Sequence, residues 1–585
     1  MRKVIAYGSL DELMASPIYD KICDGVQFAE SVQMAKTMAK SRIFPSCHVF
    51  NELINKIDPY WQSDEQRVRS LALISMFIRS RIAASNSPRE KDWLTGCLRR
   101  SFQIWSAVAL LEEADLRPEN IESDNKDVRL MVDIWKYLIE SEEGFISFRK
   151  RMSSDRAIIE IRKKIDGWMR KVDSKSNVIT IHGFYFITPI QERVIRLLYE
   201  SGYEIYFLIP YRGEYPLANQ VWDALYCESN GYDNNDDWIQ VHGGNRNLFG
   251  DLIEGKPISN PDWKIKEYKD VMAFVDDIQR MDDNVSLYSP DNNAANDILQ
   301  DFFPERYGRR KLYSYPIGGF IKALHGLWDD ESQSLLMDSN TLIDCFASGW
   351  ISYKGVTSDV VLKDLERMVP FFKKCLTMKD WEDRSKHLFN IHVDVISRFK
   401  SDNEDGEARR WEDILDNPFS NFSIFDVPRE RVELIIGMMN KLLECAKFLF
   451  EKGASRDVNE HTDRLIEVLD DNRVTLDQDN EFSLATSLLN RIRGRGNPEK
   501  YNPTDMVNAI TLFLSNEVPV DDAGDSGAWV RPLFDMGANT GDVHICMCSQ
   551  EVLPGKQRDY VWPLNPVVIQ ALEAKQRERD KYPLI

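Results

Sequence analysis

The side chains able to do chemistry fall into two groups. In the first, His544, Cys546 and Cys548 alternate along Val543-His544-Ile545-Cys546-Met547-Cys548. Alternation on a strand would put all three on one face. Imidazole and thiolate donors of that kind suit zinc, but no fourth ligand is evident, and buried cysteine on a strand is commonplace. Cys47-His48 has no partner at metal spacing and reads as core. No metal is expected.

The second group is cationic. Arg149, Lys150, Arg151, Arg156, Arg162, Lys163, Lys164, Arg170 and Lys171 crowd one helical region, with Trp168 interleaved. Arg306, Arg309, Arg310 and Lys311 form a second cluster beside Tyr313 and Tyr315, and Arg491, Arg493 and Arg495 a third. Single-stranded nucleic acid is held by such grooves, with aromatic rings as stacking platforms. The competing reading is a solvated helix face, since Glu160 and Asp166 dilute the first cluster. Arg149, Arg151, Arg162, Lys163, Lys164, Arg170, Arg309, Arg310, Arg493 and Arg495 are the DNA-contact candidates.

The elements that must position these groups alternate between strand-like and helix-like runs, which points to α/β cores with helical insertions. Val4–Tyr7 is a short strand followed by a helical run from Leu10 to Met14. Residues from about Cys47 to Leu138 read as mostly helical, with Leu71, Leu73, Ile74, Phe77 and Ile78 on one face. Val178–Phe184 is apolar and β-branched, hence a buried strand. Thr188-Pro189 then caps a helix that buries Ile190, Val194, Leu197 and Leu198 and stops at Ser201-Gly202. Glu204–Ile209 is the next strand, completing a βαβ unit and so a parallel sheet. Cys227–Asn247 reads as a polar loop, and Val285–Tyr288 as a strand turning at Ser289-Pro290-Asp291 into a helix. Helices dominate from Ile317 to about Arg495, broken by the acidic loop Ser401–Glu407. Val543–Cys548 returns as a strand, and the run from Ile569 to Tyr582 reads as a charged helix. Phe184, Tyr185 and Phe186 read as core packing, the alternative being contact with a partner.

Bulk composition narrows the function classes. A hydrophobic content of 43% with 11% aromatics suffices for packed cores. The formal charge of −20 repels DNA at long range and favours a subunit of a larger complex over a free-standing DNA binder. Nine scattered cysteines suit a reducing compartment, and no signal or membrane-spanning run is evident, so a cytoplasmic location is expected.

The segment ITIHGFYFITPIQERVIRLLYESGYEIYFLIPY resembles the strand-helix-strand of UvrD/Rep-type superfamily 1 helicases. It is closer still to the AddB-type subunits of bacterial helicase-nuclease complexes, whose strand commonly ends in Asp-Gly-Phe. DNVSLYSPDNNAANDILQDFF resembles the strand-turn-helix opening the second helicase core, and TGDVHICMCSQEVLPGK a late strand of the same fold. The resemblance implies two RecA-like parallel-sheet cores, each interrupted by a mainly helical insertion. The first core would span 1–270 with an insertion at about 48–172, and the second 271–585 with an insertion at about 317–510. It also implies that the ATPase positions have decayed. The turn where a GxxxxGK[ST] loop would stand holds Gly8 and Ser9. His182 and Gly183 replace the magnesium-linked Asp and its neighbouring Glu, and Ser289 replaces an arginine. AddB-type proteins carry a C-terminal PD-(D/E)XK nuclease. Glu573-Ala574-Lys575 matches its ExK fragment, but within a charged helical stretch without an upstream Pro-Asp, so a solvated helix is the reading. The resemblance implies that such a domain would either have been removed or be supplied by a separate polypeptide.

The expectation is a non-catalytic helicase-like subunit, with no cofactor, that binds or scans DNA beside a motor helicase or nuclease partner. Its setting would be recombinational repair or defence against foreign DNA. The alternative is a protein–protein scaffold without DNA binding.

Overall fold

In the computed structural model the chain divides into two compact units. The residues described are 2–579 except 41–43, 45–46, 142–154, 172–175, 185, 229–237, 242–250, 252–253, 257–263, 283–284, 304–310, 402–426, 451–452, 454, 495–499, 517–529, 534–541 and 550–560. The first unit comprises Met1–Gln62, Gln103–Gly308 and Asp525–Ile585, the second Ser63–Phe102 and Arg309–Gly524. The stretch expected as one insertion at about 48–172 is thus shared between the two units. No described helix is long and apolar enough to cross a membrane.

The first unit is α/β. Its elements run β1 (Arg2–Tyr7), α1 (Leu10–Met14), α2 (Pro17–Ile22), β2 (Val26–Ala29), α3 (Val32–Lys40), β3 (Cys47–Val49) and α4 (Asn51–Ile57). After the excursion into the second unit come α5 (Ser101–Glu113), α6 (Lys126–Ser141), α7 (Asp155–Lys171), β4 (Val178–His182), α8 (Pro189–Glu200) and β5 (Glu204–Pro210). Then follow α9 (Pro216–Trp222), β6 (Trp238–Val241), α10 (Val271–Arg280), β7 (Ser286–Ser289), α11 (Asn292–Phe302), β8 (Arg531–Pro532), β9 (Val543–Ile545) and α12 (Pro566–Arg579).

Six strands form one sheet in the order β3-β2-β4-β5-β1-β6, every pairing parallel. The expected βαβ unit stands as β4-α8-β5, with Ile181 opposite Phe207. Thr188 caps α8 as read from the sequence: its hydroxyl accepts the Gln191 amide, and the Gln191 side chain accepts the Thr188 amide in return. Gly202 leaves the helix at φ 88°, a conformation that costs glycine little. All five residues of β4 are buried, as a strand covered on both faces requires.

Three expectations need correction. The polar stretch Cys227–Asn247 contains β6, whose Trp238-Ile239-Gln240-Val241 joins the free edge of β1. The mainly helical reading from Cys47 passed over β3, a three-residue edge strand beside β2. The alternation through Cys548 fails because β9 ends at Ile545 and Met547 takes φ 58°, which turns the chain. Cys546 is consequently buried, its thiol against the Tyr288 carbonyl at 3.2 Å, while Cys548 is exposed.

A second sheet in this unit has three described strands, β8-β7-β9, again parallel. Phe274, Val275 and Ile278 of α10 and Ala295 and Leu299 of α11 pack with Leu287 of β7. Asn296 fastens β8: its amide donates to the Val530 carbonyl at 2.9 Å and accepts the Val530 amide at 3.0 Å. Glu573-Ala574-Lys575 lies within the helix α12.

The second unit is helical, with two short hairpins. Helix Asp64–Ala84 buries an unbroken run from Val68 to Ser75 rather than one stripe, so it lies at the centre. It packs along helix Pro503–Asn516, where the Ser75 hydroxyl donates to Asp505 and the Arg79 Nε lies 3.3 Å from the same carboxylate. Burial pushes the Asp505 carboxyl up against these stabilising partners. Helix Pro316–His325 begins so close to Leu312 that a Cβ on Gly318 would sit 1.9 Å from the Leu312 carbonyl oxygen. Backbone cannot yield there as a side chain would. Gly318→Ala is therefore expected to cost about 2–3 kcal/mol, the upper range for overpacking, read as a lower midpoint of chemical unfolding. An unchanged midpoint would refute the close approach.

Candidate functional site

In a parallel sheet, ligands bind beyond the carboxyl ends of the strands, where successive crossovers leave in opposite directions. Here the chain leaves β2 towards β3 and leaves β4 towards β5, so one crevice opens between Ala29 and His182, which face each other in register. It is filled. Met34 and Phe44 are buried there, and the Phe44 ring lies 4.8 Å from the His182 ring. Phe184 is buried against Phe50, and its carbonyl accepts the Tyr226 hydroxyl at 2.7 Å, which places that residue in the core as expected. Tyr185 lies outside the described residues.

His182 itself is fully buried. The Gln27 amide on neighbouring β2 donates to the carbonyls of Ile22 at 2.6 Å and Gly25 at 3.2 Å, which fixes its oxygen towards His182. The 2.7 Å contact between that oxygen and His182 Nε2 therefore requires a proton on Nε2, leaving Nδ1 bare and unpartnered. Burial drives the imidazole down to about 3, so the ring is neutral. A neutral ring inside the sheet neither holds magnesium through a carboxylate nor orients water. Gly183 beside it takes φ 64° and donates its amide to the Leu208 carbonyl at 2.9 Å.

The turn after β1 is the second place a ligand would enter. Ser9 caps α1, its hydroxyl accepting the Glu12 amide at 3.2 Å, and the Gly8 amide donates to the Val241 carbonyl at 3.2 Å. Above the turn lies an ion pair absent from any local pattern. Arg212, two residues past β5, donates from Nη2 to both oxygens of Glu12, at 3.1 and 3.3 Å. Both side chains are largely buried, and Glu214 stands 3.6 Å from the other guanidinium nitrogen. A Cβ on Gly8 would sit 2.3 Å from Glu12 and 2.4 Å from Arg212, so the pair rests directly on the bare glycine. At the end of β7, Ser289 is buried and its hydroxyl accepts the Asp291 amide at 3.2 Å, a turn contact.

The cationic candidates separate once their partners are seen. Arg162 donates to the Ser201 carbonyl at the end of α8 at 2.6 Å, and Arg170 to the Asp166 carbonyl within α7 at 3.1 Å. Lys163 lies 3.6 Å from Glu160, and Lys164 lies 3.7 Å from Glu52 and over the Trp168 ring. Arg493 pairs with Asp463 at 2.5 Å, and Arg491 with Asp64 at 2.6 Å. Arg149, Arg151, Arg309, Arg310 and Arg495 lie outside the described residues. Trp168 is no stacking platform: it is buried, with His48 stacked on it at 3.9 Å. What α7 offers to solvent is Arg156, Arg162, Lys163, Arg170 and Lys171, with Asp166 and the apolar Ile159 among them. Among the described residues no group of three or more His, Cys, Asp or Glu is placed to hold a metal ion.

Neither a protein-family model nor a curated protein sequence matches the chain.

Proposed function

We propose that this chain is a non-hydrolysing, helicase-like subunit of a DNA-processing assembly, related in design to the AddB type. On this reading the six-stranded parallel sheet is a RecA-like core, and the three-stranded sheet belongs to a second. The observation that carries it is the Arg212–Glu12 pair resting on Gly8, where an active core would cradle phosphates. An acidic side chain at that place excludes a polyphosphate by charge and by volume. The neutral, buried His182 adds to this, because the strand position that would bring a carboxylate to magnesium brings none. A motor or nuclease partner would then supply the energy or the cut, in repair or in defence against foreign DNA.

DNA contact, on this reading, falls to the exposed face of α7. Because Arg162 and Lys164 tie α7 to other elements, whereas the partners of Lys163 and Arg170 lie within α7 itself, Lys163 and Arg170 are the sounder residues to change. Reversing both to glutamate is expected to weaken binding of a fork or single strand about tenfold at low salt and to flatten its salt dependence by about one contact per residue. Wild-type affinity in the double variant would remove α7 from the interface. Purified chain should show no magnesium-dependent ATP turnover above a no-protein control, and turnover on the order of 1 per second would overturn the proposal.

The second reading, a protein–protein scaffold without DNA binding, is favoured by one observation. Lys163, Lys164, Arg491 and Arg493 each lie within 4 Å of a carboxylate, on a chain of net charge −20. Absence of binding at low salt with partners present selects it.

A further inference from the structure

We infer that the helical hairpin of Asp64–Ala84 and Pro88–Leu98 in the second unit carries a binding surface for the phosphodiester backbone of nucleic acid, centred on Arg89 and Arg99 and separate from α7. Residues 81–100 hold Arg81, Arg89, Lys91, Arg99 and Arg100 against Glu90 and Asp92, a net charge of +3 on a chain of −20. All seven are exposed.

These cations differ from the others in what surrounds them. Lys163, Lys164, Arg491 and Arg493 each stand beside a carboxylate. The side chains of Arg89, Lys91 and Arg99 have no ion-pair or hydrogen-bond partner among the described residues. Glu90 is engaged elsewhere, its carboxylate accepting the Ser85 hydroxyl at 2.8 Å. Arg89 also stands in the first turn of its helix, where the helix dipole opposes a cation. No described residue offsets that cost, and an anion from outside would.

The face is open as well as charged. Gly96 lies seven residues after Arg89 and four before Arg100, so the three share one side of the helix. A Cβ on Gly96 would meet nothing within 4 Å, so a ligand can approach as far as the helix backbone. Leu94 and Cys97 are buried and hold the helix in place. At 1.5 Å per residue, Arg89 and Arg99 stand about 15 Å apart along the axis, the rise of about four nucleotides on one strand of a duplex. No large hydrophobic residue between 81 and 100 is exposed. The face therefore lacks the apolar centre from which a protein partner draws its affinity. Phosphate binding needs only the cations, which release counter-ions as they neutralise the strand.

The inference rests on the reading above in taking the chain as a nucleic-acid binder. Its test is fluorescence anisotropy of the full chain with a labelled single strand and with the matching duplex, over a series of salt concentrations. Arg89→Ala combined with Arg99→Ala is expected to weaken binding of at least one probe about tenfold at low salt and to lower the salt slope by about two. Gly96→Lys adds a cation to the open side and should tighten binding of that probe, with a slope steeper by about one. Unchanged affinity and slope in the Arg89 and Arg99 variant, with wild type binding, overturns the inference and leaves DNA contact to α7. A wild type that binds neither probe overturns both this inference and the DNA-processing reading. Displacement of the bound DNA by poly-L-glutamate at matched charge would assign the face to an acidic protein and overturn the inference as well.

Discussion

Replacing His182 by aspartate is expected to lower stability by about 3–5 kcal/mol, the cost of an unpaired buried charge, without producing any ATP turnover. On the proposed helicase-like reading the change introduces the residue type an active strand would carry, so a purely local view would expect gain rather than loss. The surroundings decide otherwise. The site has no exposure, and the group facing it is the Gln27 oxygen, an acceptor that a carboxylate cannot bond unless protonated. Gln27 cannot turn its amide round without giving up its bonds to Ile22 and Gly25. His182→Leu should be milder, since it strands one acceptor at about 1–3 kcal/mol and introduces no charge. Chemical unfolding of the two variants orders them, and an aspartate variant as stable as the leucine one would contradict the geometry.

Stability should also fall steeply on mild acidification, by about 3 kcal/mol from pH 7 to pH 5.5 when three neutral imidazoles act together. His182 is held down to about 3 and His325 to about 4 by burial, and His461 lies well below its ordinary range. The last two meet in the second unit, Nε2 to Nε2 at 3.2 Å, so one ring donates and the other accepts. Arg456 and Arg464 further oppose a charge on His461. Well above the ordinary imidazole value of about 6.5 neither the folded nor the unfolded chain protonates these rings, and the full stability is present. Below it the unfolded chain binds protons that the folded one refuses, so stability is lost as pH falls towards the folded values. Replacing both His325 and His461 with leucine should remove much of the slope in unfolding midpoint against pH. A flat profile in the wild type between pH 7 and 5.5 would show that these rings are not buried and neutral.

The parts of the fold legible in the sequence are those whose signals are local. The β4-α8-β5 unit announces itself through a β-branched run, a Thr-Pro cap and a Ser-Gly stop. By contrast, β6 is four residues set between polar neighbours, and β2 carries Gln27 in a buried strand, so neither shows a clean apolar period. The site divides the same way. That no GxxxxGK[ST] pattern stands near Gly8 is visible in the sequence. The ion pair over that turn is not, because Glu12 and Arg212 stand 200 residues apart. Charge pairing was likewise hidden: the partners of Lys164 and Arg493 lie on other elements, at Glu52 and Asp463. The burial of Trp168 depends on His48 from a strand whose existence was not foreseen.

The hydrogen bond between Ser75 and Asp505 spans 430 residues and joins the first described helix of the second unit to its last described one. A ribosome delivers these partners in order, so the apolar girth of Asp64–Ala84 emerges long before the helix that covers it has been made. Closing so distant a pair is slow, and surface exposed meanwhile invites aggregation. The nascent chain must carry that helix without this partner through most of its synthesis, so Asp64–Ala84 is the stretch where aggregation during production is expected to begin.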